Sequence, residues 1–550
     1  MTAAERTDNG LQARLGPVLP KGHQFGIFHL STPPTKSAAL YSAPPNERPD
    51  RTFCESHFLA VSIKIPKNDG VALLDENQRD VLILGVEILI YSTMHTTTLF
   101  VSKADSTGYL HLLKLPKGTP SPIREVCGAF LSHLVDNRRR EGKQFIVSLF
   151  ARAQSQYLFP GSVENSGKHV LDDRGLVKWW CRVLSPLLET SPKGDLQPWG
   201  SVKGYLVVPG LEEYETRAFL PRASLPSWSL THPLERISHY TKELDWVPPR
   251  CLIPRYPDDP KSRFRDELDE EAAQTGGMRK AGAWQSVKTL DVFWEMMAFR
   301  QECSSGRMTG FIWVVFDDDP QDGSAPRAPD TPRKPRPSAA AASQRATEKR
   351  ARDKKKLREK QARAKRKLRG PIVTRPPRVK TEHKNYLLAR CPTATPHYAW
   401  PAGGRGERIV GEGVYRRIVE LLLHLDFATL DKAAGSTRRW VGEVAMGSPA
   451  TWGYEVTGTM EAVPPADVGK GGGDGVAVNN LSGLLVKRKR SAAEDGAAKT
   501  TTEAAPEGEE ATAVNVLAAG LVRKKAKSEA PEEASVQVLS AGLVRKKDKA

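Results

Sequence analysis

The sequence predicts an α/β protein built on a central mixed β-sheet that helices surround. Two observations support this prediction. Three β-branched, apolar runs follow one another early in the chain, and apolar segments of helical spacing then alternate with a further strand-like run. A chain that mixes strands and helices in this way can bury one face of each helix against a sheet.

The predicted strands come early. A short helical pattern at Leu11 to Leu19 and an apolar stretch at Gln24 to Leu30 precede a loop rich in Pro, Ser and Asn, Thr32 to Asp50. The runs that follow are rich in β-branched residues and are separated by turn-like or charged residues, which predicts a meander of strands. These runs are His57 to Ile65, Val81 to Tyr91 and Thr96 to Val101.

Helical spacing is more frequent further along the chain. It predicts helices at Ile123 to Leu134 and Gly175 to Leu188, with a short strand at Tyr205 to Val208 that ends at Pro209-Gly210. A further helix at Val287 to Arg300 places Phe293, Met296 and Met297 near one face. Val414 to Leu430 predicts an amphipathic helix of the same core, with five packing residues: Ile418, Leu421, Leu422, Leu425 and Phe427.

The positive charge is concentrated in one tract. Residues 321–380 hold 21 Lys and Arg against five acidic residues, a net charge of +16, whereas the whole chain carries +18. Any nucleic-acid contact therefore belongs to this tract and not to a groove of the fold. Arg345 to Arg369 has almost no apolar face, which predicts a solvated segment or a single charged helix. Lys354-Lys355-Lys356 and Lys365-Arg366-Lys367 are credible nuclear import signals.

These patterns predict four segments. Residues 8–317 form the main part of one folded domain, 318–372 a disordered basic insertion, 373–458 the C-terminal part of the same domain and 459–550 a disordered tail. The tail carries three copies of a short apolar and basic motif, too unevenly spaced for solenoid units, which are either linear docking motifs or drift of a low-complexity tail. The copies are Val478 to Lys489, Val514 to Lys525 and Val536 to Lys547.

The composition also excludes several kinds of protein. Six cysteines lie far apart, without a Cys-x-x-Cys pair or histidines at zinc spacing, so we expect free thiols and no metal. The N-terminus lacks the apolar core of a signal peptide, and Val81 to Tyr91, the most apolar run, is too short to span a bilayer. We therefore expect a soluble, intracellular protein. The sequence also lacks a hydrolase elbow, a P-loop and a Rossmann glycine pattern.

Four local strings stand out instead. In chain order they are Phe100 to Tyr109 (FVSKADSTGY), Ser155 to Pro160 (SQYLFP), Lys168 to Leu171 (KHVL) followed by Lys178-Trp179-Trp180, and Pro257 to Phe264 (PDDPKSRF). In this order and at these intervals they resemble the fungal regulator-of-Ty-transposition histone acetyltransferase family, which shares the CBP-type histone acetyltransferase fold. The resemblance covers Leu11 to Phe316 and, more weakly, Val414 to Trp440.

The resemblance implies that a pair of carboxylates carries the chemistry. Acetyl transfer to lysine needs the neutral amine, whose free pKa is about 10.4, so a carboxylate must accept a proton or shape a path for one. The family pattern places this group at Asp259, beside Asp258, and adjacent carboxylates raise each other's pKa when partly buried. Without the resemblance, the same residues are more typical of a charged turn that caps the helix beginning near Lys261.

Further site residues follow from the same resemblance. Lys261 is implied to be the buried lysine that the family autoacetylates, whereas by itself it indicates an ordinary surface lysine. Asp105 resembles a carboxylate at the mouth of the site. Trp180 and Tyr157 resemble aromatic walls of the channel for the substrate lysine, although a Trp-Trp pair on a helix is more often core.

The co-substrate implied by the resemblance is acetyl-CoA. Backbone groups and basic side chains of the matching segments suit its pantetheine amides and phosphates. The implied contacts are Ala104, Leu113, Lys114, Leu115, Pro116, Lys117, Phe150, Gln154, His169, Val170, Leu171 and Trp179.

The implied function is acetyl transfer to lysines of histone H3, held with its histone pairing partner and presented by histone chaperones. The resemblance further implies nuclear location and roles in replication-coupled chromatin assembly, transcription regulation, the DNA damage response and genome stability.

Two alternative interpretations of the sequence stay open. Arg408 to Gly413 (RIVGEG) fits the pyrophosphate loop of another acetyltransferase superfamily, although a loop is the simpler interpretation. The chain could instead be a non-catalytic chromatin or RNA-binding scaffold that acts through its basic tract.

Overall fold

The structure, a computed structural model, describes residues 10–65, 80–189, 198–274, 284–301, 303, 306–318, 391–446 and 452–461. All of these lie in one compact unit, Met1–Gly469. The predicted basic tract and the three tail motifs lie outside the described residues.

The described elements combine one eleven-stranded sheet with helices on its faces. The strands are β1 (Gln24–Ser31), β2 (Thr35–Ser37), β3 (Thr52–Lys64), β4 (Asp80–Ser92), β5 (Thr96–Ser106), β6 (Gln144–Ala151), β7 (Ser201–Val207), β8 (Trp228–Ser229), β9 (Gly310–Asp317), β10 (Arg408–Ile409) and β11 (Tyr454–Thr457). The helices are α1 (Gly10–Leu15), α2 (Pro122–Arg138), α3 (Asp173–Leu188), α4 (Glu213–Arg217), α5 (Leu234–Ile237), α6 (Tyr240–Glu243), α7 (Pro260–Gln274), α8 (Leu290–Ala298), α9 (Glu412–Leu422) and α10 (Leu430–Ala445).

The sheet is mixed, as the sequence predicts. Its order is β10-β1-β3-β4-β5-β6-β9-β7-β8, with β11 also paired to β1 and β2 to β3. The predicted meander is the antiparallel run β3-β4-β5, whereas β5 and β6 are parallel because α2 crosses over between them. Among the described residues, no helix is long and apolar enough to cross a lipid bilayer.

Both faces of the sheet centre are covered, and β9 shows how. Phe311, Trp313 and Val315 belong to a core cluster with Phe264 of α7 and Phe293 of α8. The alternate residues of the same strand belong to the cluster that includes α2 and α3. Because successive side chains of a strand point to opposite faces, one apolar strand can serve two cores.

The segment after the basic tract completes the same sheet. Leu30 of β1 pairs in parallel with Arg408 of β10, and the other half of β1 pairs antiparallel with β11. Trp440 of α10 is fully buried and lies edge-on to Phe28 of β1, with its indole nitrogen donating to a backbone carbonyl of α9. The described residues of this C-terminal segment therefore contribute strands to the same sheet and side chains to the same core.

Two helix predictions were wrong in detail. The helix predicted to run to Leu430 ends at Leu422, and a second helix starts after Thr429. Phe427 lies in the connection between the two helices, where it is buried and its backbone N–H donates to the carbonyl of Pro160. Because this connection is apolar, its sequence continued the helical pattern of α9. On α8, Met296 is exposed although Phe293 and Met297 are buried, because only one narrow stripe of this helix faces the core.

Strands β6 and β9 were not predicted from the sequence. Their sequences, QFIVSLFA and GFIWVVFD, are almost continuously apolar and almost entirely buried. Such short runs lack the alternation that marks a half-exposed strand, so periodicity does not separate them from buried helix.

A buried ion pair joins three parts of the fold. The Arg138 guanidinium, at the end of α2, donates to both carboxylate oxygens of Glu55 on β3, and both side chains are almost fully buried. The same guanidinium donates to the carbonyl of Gly404, at 2.8 Å, in the segment after the basic tract. A Cβ on residue 404 would lie 2.1 Å from this guanidinium, so the close approach requires glycine.

We predict that Arg138→Met destabilises the fold by about 3–5 kcal/mol, because it leaves the Glu55 carboxylate buried without its partner. Urea denaturation measures the change. Arg417→Met is the control, since Arg417 is exposed and its pair with Glu443 should contribute no more than about 1 kcal/mol. Equal unfolding midpoints for the two variants would contradict the prediction.

Buried histidines beside this pair predict a stability that falls in mild acid. Burial lowers the pKa of His29 and of His57, and lowers the pKa of His133 to about 3. The unfolded chain binds protons near pH 6.5 and the native state does not, so stability is complete above that pH and decreases below it. We expect a loss of up to about 1.4 kcal/mol per pH unit for each histidine, measured by urea denaturation between pH 7 and pH 5. His133→Gln should flatten this slope, and His424→Gln, at an exposed position, should not.

Candidate active site

A cavity of about 1150 Å³ opens where β5 and β6 end against α2 and α3. Val101 to Ser106 of β5 form one wall. Another wall consists of residues at the end of β6 and just beyond it, namely Leu149, Phe150, Arg152, Ala153 and Gln154. The loop Gly167 to Leu171 and the first turns of α3 close the remaining side. A cavity of this size is large enough for an extended cofactor-like ligand.

Asp105 organises one wall of this cavity. It lies near the end of β5, and one of its carboxylate oxygens accepts hydrogen bonds from the backbone N–H groups of Tyr157 and Leu158, at 2.7 and 2.9 Å. Its other oxygen accepts from the Lys168 ammonium at 2.9 Å, in a pair whose side chains are almost fully buried. One carboxylate therefore fixes two loops that line the cavity.

Close packing of the backbone positions the second of these loops. Gly108 has a φ of +90° and lies against the backbone of Lys168, where an added Cβ would meet the Lys168 nitrogen at 2.5 Å. Only glycine combines this positive φ with so close an approach. The loop Gly167 to Leu171 is thereby held against the end of β5, with His169, Val170 and Leu171 facing the cavity.

A carboxylate and a phenol face the cavity together. Asp258 is exposed and has a φ of +59°, a conformation that aspartate tolerates better than most residues. The hydroxyl of Tyr157 donates to the Asp258 carboxylate at 3.2 Å. Burial, together with the Asp258 charge, raises the pKa of Tyr157, so its hydroxyl stays protonated at neutral pH.

The neighbouring Asp259 is buried and does not line the cavity. Its carboxylate accepts from the backbone N–H of Lys261 at 3.0 Å, as an N-cap residue does at the start of α7, and it also accepts from the Lys261 ammonium. Burial raises the pKa of Asp259 and lowers that of Lys261, and each partner opposes the shift of the other. The cause that raises the Asp259 pKa is therefore burial, and not the adjacent Asp258 that the sequence argument invoked.

Aromatic rings surround the buried Lys261 ammonium. Its nitrogen lies 5.0 Å from the ring centroid of Tyr256, 5.2 Å from Phe311 and 5.7 Å from Trp313. Ring faces attract a cation, so they offset part of the cost of removing this charge from water.

Basic side chains give the cavity an electropositive lining. The Nε atom of Arg152 is buried and finds no hydrogen-bond partner among the described residues. Guanidinium and ammonium groups of this kind suit the phosphates of a CoA-type ligand, so the lining fits such a group. The basic residues of the lining are Lys103, Lys114, Arg124, Arg152, Lys168, Arg182 and Arg263.

The structure brings together most, but not all, of the residues selected from the sequence. Those that line the cavity are Ala104, Asp105, Lys114, Leu115, Phe150, Gln154, Tyr157, His169, Val170, Leu171, Trp179, Trp180 and Asp258. Those that do not are Leu113, Pro116, Lys117, Asp259 and Lys261. Leu113 packs against the hydrophobic core, and Pro116 accepts the backbone hydrogen bond of a surface turn, from Thr119.

The tryptophan pair lines the cavity and also packs in the core. Trp179 and Trp180 meet edge to face, with ring centroids 4.9 Å apart, and both line the cavity. Trp180 is also 95% buried and belongs to the main core, so one ring serves as wall and as packing. By contrast, no residue of Arg408 to Gly413, the segment that fits a pyrophosphate loop, lines the cavity.

The sequence analysis did not identify Arg124, Arg152 and Arg182 as part of the basic lining. Arg152 directly follows β6, and its position at the end of a central strand is a signal for a site residue. Because β6 itself was not predicted, that signal was not available. Arg124 and Arg182 lie on separate helices, and the sequence contains nothing that pairs them.

Comparison with known proteins identifies the family. The model of the histone acetyltransferase KAT11-type domain matches residues 11–146 and 141–443. The histone acetyltransferase rtt109 of Aspergillus flavus is 37% identical over 593 aligned positions, covering 95% of this chain and all of that protein. The chain belongs to the fungal Rtt109 family of histone acetyltransferases.

Other Rtt109 proteins agree with this assignment. The histone acetyltransferase rtt109 of Schizosaccharomyces pombe is 32% identical over 302 positions, which cover 53% of this chain and 68% of that protein. The crystal structure of Rtt109 from Aspergillus fumigatus is 37% identical, with a TM-score of 0.61 over 82% of this chain and 99% of that chain. The acetyltransferase fold, the histone substrate and the co-substrate acetyl-CoA follow from membership of the Rtt109 family.

We predict that Asp105→Asn weakens both the fold and the site. An amide replaces one acceptor oxygen by a donor, which then faces backbone N–H groups or the Lys168 ammonium, at a cost of about 2–3 kcal/mol. Thermal unfolding should show the loss, and the KM for acetyl-CoA should rise because the loop Gly167 to Leu171 loses its anchor. Asp245→Asn, at an exposed position, is the control, and equal KM values for the two variants would contradict the prediction.

Proposed function

We propose that this chain acetylates lysines of histone H3 and takes the histone, with its pairing partner, from a histone chaperone. The observation that carries the proposal is the Asp258–Tyr157 pair on the wall of a basic, aromatic-lined cavity. Trp180 and Tyr157 provide apolar surface for an alkyl stem, and Asp258 provides an acceptor for the polar head. A lysine of a folded histone pair must be held in this position, which gives a chaperone a physical role.

The reaction requires that the substrate lysine lose a proton, because an ammonium group is not nucleophilic. When bound, acetyl-CoA would supply the acetyl group as a thioester, and coenzyme A would leave as the thiol. We propose that Asp258 accepts the proton, which is supported by its exposed carboxylate on the cavity wall. The Tyr157 hydroxyl orients this carboxylate, so the phenol is a positioning group for the base.

Asp259 acts from behind the cavity wall. The sequence argument proposed it as the base, but the Lys261 backbone and ammonium already occupy its carboxylate. We propose that it holds the turn that presents Asp258 and neutralises the buried Lys261. Removing it would leave the ammonium unpaired in the aromatic environment of Tyr256 and Phe311.

Lys261 is proposed to become acetylated by the enzyme itself. Acetylation would remove a charge that has no contact with water and would keep one N–H that can donate to Asp259. The surrounding rings fit a neutral amide at least as well as an ammonium, because their contribution to packing does not depend on charge.

The acetyl-CoA contacts are proposed to follow the cavity wall. Lys114, Arg152 and Arg182 are the cations that suit the phosphates, and the backbone of His169 to Leu171 suits the pantetheine amides. Nuclear location, contact of the basic tract with nucleic acid, and roles in replication-coupled chromatin assembly and the DNA damage response are proposed with this function. The division of the chain into segments 8–317, 318–372, 373–458 and 459–550 is likewise part of the proposal.

We predict that Asp258→Asn lowers kcat by about 10²-fold, because a general base contributes on that order or more. Tyr157→Phe should lower kcat about tenfold by releasing the carboxylate from its orientation. Steady-state rates on a chaperone-bound histone pair measure both effects, and Asp245→Asn controls for a change of surface charge.

A paired substitution separates the two aspartates. Asp259→Asn should destabilise the fold by about 3–5 kcal/mol, and adding Lys261→Met should restore most of the stability because the buried ammonium is removed as well. If activity returns with stability, Asp259 acts through the fold. If the double variant is stable and inactive while Asp258→Asn is active, Asp259 is the base and Asp258 is not.

Mass spectrometry tests the substrate and the autoacetylation together. After incubation with acetyl-CoA and a chaperone-bound histone pair, we expect acetyl groups on lysines of histone H3 and on Lys261, both reduced in Asp258→Asn. Deletion of residues 345–369 should leave these products in place if the chain is an enzyme, whereas a scaffold would lose its function with this tract. Absence of acetyl groups from H3 in the wild-type reaction would overturn the proposed substrate.

A further inference from the structure

A carboxylate and two imidazoles meet at the far end of the β4–β5 hairpin from the cavity. Asp50 lies just before β3, His95 in the turn between β4 and β5, and His239 just before α6. One possible ligand atom from each of the three lies within 4.8 Å of the others. A strand as long as β5 separates this cluster from Asp105, about 30 Å at about 3.3 Å per residue, so the cluster is not part of the acetyl-transfer site.

The backbone on which two of these side chains stand is firmly held. Thr93 and Thr96 close the hairpin turn with a backbone hydrogen bond of 2.9 Å, and the backbone N–H of His95 donates to the Thr93 hydroxyl at 3.1 Å. On the other segment, the N–H of Lys242 donates to the His239 carbonyl at 3.1 Å as α6 begins. The side chains therefore start from defined positions.

The Asp50 carboxylate lacks a compensating partner. Its Oδ2 atom is buried and makes no hydrogen bond within the described part of the chain. Nε2 of His239 lies 3.3 Å from this oxygen but forms no hydrogen bond with it, which leaves the partly buried carboxylate with an unmatched charge. A cation bound between the carboxylate and the imidazoles would balance it.

The two imidazoles need one rearrangement to share an ion. The rings of His95 and His239 are stacked, with centroids 4.0 Å apart and planes 3° apart, so their in-plane lone pairs run side by side. Rotation of one ring about its Cβ–Cγ bond turns its nitrogen toward the other, and this torsion is soft in histidine. His95 is only partly buried and lies in a turn beside the exposed Met94, so we expect its ring to be the one that turns.

We propose that Asp50, His95 and His239 bind a divalent transition metal ion, with zinc as the best match. Two imidazole nitrogens and one carboxylate oxygen, with water in a fourth position, form a zinc ligand set, whereas calcium and magnesium prefer oxygen ligands alone. Of the charged neighbours, Lys242 acts on His239, and Arg140 donates to the carbonyls of Thr93 and Thr96 on either side of His95. Both cations oppose metal binding, whereas Glu243 acts on Asp50 and favours it. The bound ion ties the loop before β3 and the segment before α6 to the hairpin turn.

Zinc titration of the full chain tests the proposal. Calorimetry with ZnCl₂ should show one site that is lost or weakened at least tenfold in His95→Ala and in His239→Ala, with Asp50→Asn weakened as well. Saturating zinc should raise the Tm of the wild type by a few degrees and leave that of the three variants unchanged. His424→Ala, at an exposed histidine outside the cluster, is the matched control and should bind zinc as the wild type does.

Cobalt(II) distinguishes this cluster from the cysteines. Binding at Asp50, His95 and His239 should give a cobalt spectrum without a thiolate charge-transfer band, because the proposed ligands are oxygen and nitrogen. Circular dichroism checks that each variant folds, and the conservative His95→Gln provides a second test if an alanine variant does not. The proposal is overturned if the wild type binds no zinc, if the folded variants bind it equally well, or if the cobalt spectrum shows thiolate ligands.

Discussion

The buried guanidinium of Arg138 is the point at which the fold is joined. It belongs to α2 and neutralises Glu55 on β3. It also donates to the carbonyl of Gly404, in the segment after the basic tract, where the close approach leaves no room for a side chain. Strands β10 and β11, which that segment contributes, pair with β1 at the sheet edge. The position of α2, and with it one wall of the cavity, depends on this contact, because α2 packs against the sheet on the side where the cavity opens.

In the cavity, too, one buried charged side chain holds separate segments together. Asp105 uses one carboxylate to fix the backbone at Tyr157 and the ammonium of Lys168. A buried carboxylate is costly unless its oxygens accept hydrogen bonds, so the donors around it are held in fixed positions. The result is a rigid basic wall beside an exposed Asp258, which combines a fixed binding surface with an accessible proton acceptor.

The two adjacent aspartates lie in different surroundings although they are neighbours in the chain. Asp258, in a left-handed conformation, points to the cavity, and Asp259, one residue later, caps α7 and pairs with Lys261. The difference arises at the turn, because Pro260 starts α7 and proline disfavours a helical conformation in the residue before it. The roles proposed for the two carboxylates therefore depend on the conformation of this turn.

The sequence by itself determined the kind of sheet, the early meander, the helices of the middle region and, through four short strings, the family and most of the cavity wall. These are local properties, since periodicity and turn residues act over a few positions. It did not determine β6 and β9, whose uniform apolar runs carry no period, or the division of the helix at Leu422. Only the tertiary structure decided that Asp259 faces Lys261 rather than the cavity, that Arg152 belongs to the site, and that Asp50, His95 and His239 meet. Contacts of this kind join residues far apart in the chain, and their geometry exists only after the sheet has formed.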